Sequence, residues 1–71
     1  MGDLRVSLRG DEVVVAGDRE ALAYLADVCL NLSKMTAEDV QTGNNHYHIA
    51  DYMNNAEEDS IPTIILCTAK S

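Results

Sequence analysis

Alternation opens the chain. Leu4, Val6 and Leu8 alternate with Arg5, Ser7 and Arg9, and Val13 and Val15 take up the same alternation after Gly10-Asp11. A period of two marks a strand with one buried face. Gly10 stands at the first central position of a two-residue turn, as a type II′ hairpin turn requires. That turn sets the register, with Arg9 opposite Glu12, Leu8 opposite Val13 and Val6 opposite Val15. Leu4, Val6, Leu8, Val13 and Val15 then share one face, which is expected to meet the core.

The period lengthens after Gly17. Leu22, Leu25, Ala26, Cys29, Leu32 and Met35 recur in steps of three and four, and Ala21 and Val28 widen the stripe. This predicts an amphipathic helix. Asp18 is placed to cap it, and Glu20 complements its positive end. Tyr24 falls at the stripe edge, with its hydroxyl expected in water. Residues 36–45 are polar and end in Gly43-Asn44-Asn45, a breaker, so they read as a loop, although Thr36 and Asp39 would suit a short extra turn. His46 to Ala50 reads as a third strand, with His46 and His48 on one face and Tyr47 and Ile49 on the other. The polar stretch 51–60 has room for one helical turn through Tyr52 and Met53. Ile61 to Ala69 reads as the last strand. Pro62 offers no backbone donor, so it belongs at the start of that strand or on an edge. The continuous run Ile64-Ile65-Leu66-Cys67 predicts cover on both faces.

The expected fold is therefore α+β in the order β-β-α-β-β, a four-stranded, mainly antiparallel sheet with one helix packed on one face. At 71 residues the chain is one domain, residues 1–71, with a thin stability margin. It has no Phe and no Trp, so its core must be aliphatic. Val14 and Ala16 leave the second sheet face partly apolar, which makes a homodimer or a partner interface the expected use of that face.

Charge narrows the class of partner. Twelve acids against five bases leave −7. A negative surface disfavours nucleic-acid phosphates and anionic membranes, and it suits a basic protein. Glu57-Glu58-Asp59, with Asp51 and Tyr52 earlier in the same stretch, form the candidate partner-binding surface. Met1 to Arg9 carries charge and no apolar signal core, so the cytoplasm is the expected compartment. Cys29 and Cys67 lie at apolar positions within regular elements and read as buried free thiols.

Candidate chemistry is sparse. His46-x-His48 on a strand could present both imidazoles to one metal ion. A third ligand would come from Asp51, Cys67 or the acids of 57–59. Two histidines on a solvated strand face need no companion, and that is the reading taken, with metal binding as the alternative. No phosphate-cradling glycine loop, activated nucleophile or marked carboxylate pair is present, so no catalytic residue and no cofactor are expected.

Three segments together carry a family resemblance. They are Gly17-Asp18-Arg19-Glu20-Ala21-Leu22-Ala23-Tyr24-Leu25-Ala26, then His46-Tyr47-His48-Ile49-Ala50, then Ser60-Ile61-Pro62-Thr63-Ile64-Ile65-Leu66. The combination resembles the small immunity proteins of bacterial polymorphic toxin systems, in particular the immunity protein 32 group, over roughly residues 4–69. The resemblance implies a protein that binds and blocks a cognate toxin. It supplies no catalytic residue, and it places His46 and His48 in a strand motif without a stated role. The alternatives are a homo-oligomeric structural or regulatory subunit and a metal-binding protein using the His-x-His strand.

Overall fold

The computed structural model describes residues 3–68. Strands β1 (Arg5–Arg9) and β2 (Glu12–Ala16) are followed by helices α1 (Arg19–Ser33) and α2 (Ala37–Gln41). Strand β3 (His46–Ile49), a 3-10 turn (Asp51–Met53) and strand β4 (Thr63–Leu66) complete the order. This is the expected α+β arrangement of four strands and one main helix, with a second short helix added. Ala69, the expected end of the last strand, lies outside the described residues.

The β1–β2 hairpin has the expected register, Val6 opposite Val15, Leu8 opposite Val13 and Arg9 opposite Glu12. Gly10 takes φ +63° while Asp11 stays out of the positive region, as the expected turn requires. The burial of the shared face is where expectation and structure part. Leu4 and Val6 are buried, but Leu8 and Val13 are 64% and 63% exposed. The reason lies at Gly17. A Cβ there would sit 2.8 Å from that of Ala21 and 3.2 Å from Leu4 Cδ2, so α1 turns in tightly across the hairpin base. It leaves the hairpin tip uncovered.

Asp18 caps α1 by accepting the Ala21 N–H at 2.8 Å. The buried face is Ala21, Val28 and Leu32, with Tyr24, Leu25 and Met35 half-buried. It covers one side of the expected stripe and leaves the other side, Leu22, Ala26 and Cys29, exposed. Residues 36–45 are not a loop throughout. The Thr36 side chain accepts the Asp39 N–H while the Asp39 carboxylate accepts the Thr36 N–H, a reciprocal cap that starts α2.

The strands form two antiparallel pairs, β1–β2 and β3–β4, where one continuous ladder is expected. An isolated parallel bridge, Leu4 to Ala56, joins them. Segment 56–61 takes the second edge of β1, with the Glu57 N–H on Leu4 O at 2.7 Å and the Ile61 N–H on Val6 O at 2.9 Å. Pro62 then has no N–H to continue the pairing, and the chain leaves to pair with β3 from Thr63 onward. Only one face of β4 is covered, contrary to expectation: Ile64 and Leu66 are 55% and 56% exposed, while Ile65 packs against the core. That core is Leu4, Val6, Ala21, Ile49 and Ala56, flanked by Tyr24, Leu25 and Ile65.

Leu4→Ala is therefore expected to cost about 2–5 kcal/mol, the range for a large buried aliphatic side chain. Leu8→Ala, at the open tip, should cost less than about 1 kcal/mol. Urea unfolding of the two variants checks the order, and equal losses would contradict this placement of α1.

Candidate functional site

The segment between β3 and β4 carries most of the candidate partner-binding residues, and a buried asparagine shapes it. After the 3-10 turn, Asn54 adopts φ +59°, a conformation Asn tolerates better than most residues. This reverses the chain and sends Asn55 inward. The Asn55 Oδ1 accepts the Ala50 N–H at 2.9 Å. Its Nδ2 donates to His48 O at 2.8 Å and to the Tyr24 hydroxyl at 3.2 Å. Its own carbonyl accepts the Leu4 N–H. The side-chain amide thus joins the end of β3 to α1, and the main-chain carbonyl of the same residue adds Leu4 at the start of β1. A buried polar group must be satisfied in this way, or its desolvation counts against folding.

Past Asn55 the chain meets β1, and the acidic run bulges from that edge. The Ser60 N–H returns to Glu57 O at 3.1 Å, and Asp59 takes φ +77°, so residues 57–60 form a tight turn. The Ser60 Oγ accepts the Val6 N–H at 3.2 Å and ties the turn to β1. Glu57, Glu58 and Asp59 are all exposed. Glu57 is not a free charge, because Arg5 meets its carboxylate at 3.2 Å with both side chains about half exposed. An exposed pair like this contributes little stability, but it fixes the base of the turn. Asp51 and Tyr52 sit at the other end of the same segment, in the 3-10 turn, where Tyr52 is 65% exposed. The structure thus puts the five residues on one surface segment, in two separate turns.

His46 and His48 share a strand face, their rings edge-on with centroids 5.0 Å apart. Across the ladder they oppose Leu66 and Ile64. Asp51, Cys67 and the acids of 57–59 are not gathered around them. Among the described residues no three His, Cys, Asp or Glu side chains cluster as a metal site would need. Cys29 is exposed on α1, contrary to its expected burial, and Cys67 is half-buried; neither is in a disulfide. No described helix is long and apolar enough to cross a membrane.

Two residues that organise the site carry no sequence signal of doing so. Asn55 looks like any polar loop residue. The other is Tyr24, whose hydroxyl was expected in water. The Tyr24 and Tyr47 hydroxyls instead share a hydrogen bond at 2.6 Å, with the rings edge-on at 6.2 Å. The hydrogen bond to Tyr24 holds the Tyr47 phenol above its ordinary range. Burial and the nearby Tyr24 phenol act in the same direction, while Asn55 opposes them. A phenol raised in the folded state contributes stability in full below its unfolded value of about 10 and loses it as pH rises through the folded value. The melting temperature should therefore fall on the alkaline side of pH about 10. Tyr47→Phe, which cannot ionise, should flatten part of that fall, and an unchanged alkaline slope would contradict the assignment.

Comparison with known proteins agrees with the resemblance read from the three segments. A family model described as immunity protein 32 matches residues 12–68. No curated protein and no solved structure matches the chain. The matched span takes in β2, α1, α2, β3, the Asn55 loop and β4, and on that span the chain belongs to the immunity protein 32 family.

Proposed function

We propose that this chain is an inhibitory binding protein that occludes a cognate toxin, and that the toxin presents a basic surface to the acidic segment 51–60. The observation that carries the reading is the 57–60 turn. Glu58 and Asp59, which form no ion pair among the described residues, project from a backbone pinned to β1, in a chain of net charge −7. Held charges of one sign raise the association rate with an oppositely charged partner and select against wrong ones. An inhibitor needs no chemistry of its own, and membership of an immunity protein family supports a protein partner.

A second reading, self-association, is favoured by the exposed pair Ile64 and Leu66 on the outer face of β3–β4. Sedimentation at high micromolar concentration decides it, since a strict monomer removes the homodimer.

The inhibitor reading is tested by capture from the native lysate at low and high salt. The expected result is one stoichiometric basic protein, released by salt, whose toxic activity is abolished when this chain is added back. Glu58→Lys combined with Asp59→Asn should slow association by roughly tenfold or more at low salt and flatten its salt dependence. Asn keeps the positive φ at position 59, so the turn is preserved. An unchanged association rate would place the toxin contact elsewhere.

A further inference from the structure

We infer that the cleft between α1 and β3 is an anchoring pocket for one long cationic side chain, arginine in the first place, contributed by the protein partner. This rests on the reading that the partner is basic, and it names where and how a part of that partner is held. The cleft has a volume of about 280 Å³. That is at the small end of the range for ligand pockets and leaves room for one long side chain. Val28 and Leu32 from α1 and Met35 just past its end supply apolar wall, and Tyr24 and Tyr47 close the side toward β3.

One charge breaks this apolar lining. Asp27, exposed on α1, is the only carboxylate among the lining residues, and no lysine or arginine is among them. Asn31, one helical turn on, adds an amide, and His46 stands at the β3 end. An apolar slot with tyrosine rings and a single carboxylate complements a side chain with an alkyl stem and a cationic head. The stem would replace water along Val28, Leu32 and Met35. A guanidinium can pair with Asp27 through parallel N–H donors and lie against a tyrosine ring. The chain's charge of −7 favours a cation throughout. The slot is also pre-formed, because the Tyr24–Tyr47 hydrogen bond and Asn55 fix both tyrosines before anything binds.

The test uses the whole chain and Nα-acetyl-arginine amide as probe, followed by methyl and amide NMR shifts. Saturable shifts at Val28, Leu32 and Met35 are expected. Nα-acetyl-norleucine amide, which keeps an alkyl stem without the charge, should bind more weakly. Asp27→Asn, an exposed and nearly isosteric change, should weaken the arginine probe by roughly fivefold, the scale of one partly exposed charge pair. Shifts that do not saturate, or equal binding of the arginine and norleucine probes to the unaltered chain, would overturn the proposal without reference to any variant. Failure of the probe while salt-sensitive capture of a basic toxin persists overturns the cleft assignment alone and leaves the inhibitor reading standing.

Discussion

A single buried amide holds the pieces of this fold together. The Asn55 side chain accepts from Ala50, donates to His48 and Tyr24, and its main chain meets Leu4. These contacts lie in or directly beside β3, α1 and β1, which also share a small aliphatic core and the Tyr24–Tyr47 hydrogen bond. A domain of this size has little apolar area to spare, so a satisfied polar junction carries unusual weight. Beside it, the two strand pairs are linked by the Leu4–Ala56 bridge, by the bonds of Glu57, Ser60 and Ile61 to Leu4 and Val6, and by the packing of α1.

The same junction sets the shape of the outer surface. Because Asn55 turns inward, the chain arrives at β1 in position to donate from Glu57 and Ile61, and residues 57–60 are forced out as a turn. The acids are thus displayed on a fixed backbone. On the opposite side of the junction Asn55 bonds to Tyr24, Tyr24 to Tyr47, and those two rings wall the cleft beside Asp27. A display of fixed charge and a pre-formed slot, both held by one junction, need little ordering when a partner arrives, which favours affinity.

Local rules made much of this legible in advance. The hairpin register followed from Gly10 and the period of two, and the start of α1 followed from Asp18. These features depend on residues close in sequence. Most of the misreadings concern which surface something else covers. Within the expected stripe, Leu22, Ala26 and Cys29 have helical spacing as good as the covered side, but Gly17 lets α1 approach through Ala21, and the side of Ala21, Val28 and Leu32 is the one buried. Leu8, Val13, Ile64 and Leu66 have strand spacing yet lie open, because one 15-residue helix cannot cover two hairpins. The α2 capping box was visible in Thr36 and Asp39 and was outweighed by the polar composition around it. The acids of 57–59 and the pairing of His46 with His48 on one face could be read from the sequence. The Arg5 contact that ties up Glu57 spans 52 positions, and the role of Asn55 depends on Tyr24, 31 positions away, and on Leu4, so neither could.

Amide hydrogen exchange of the free protein tests the junction most directly. If Asn55 holds segment 50–61 in place, the amides of Ala50, Glu57 and Ile61 should exchange as slowly as those of the β1–β2 ladder, since opening them requires opening the core. Exchange at those three amides as fast as in an open loop, with the ladder still protected, would mean that the acidic surface is not pre-formed and that the account built on Asn55 is wrong.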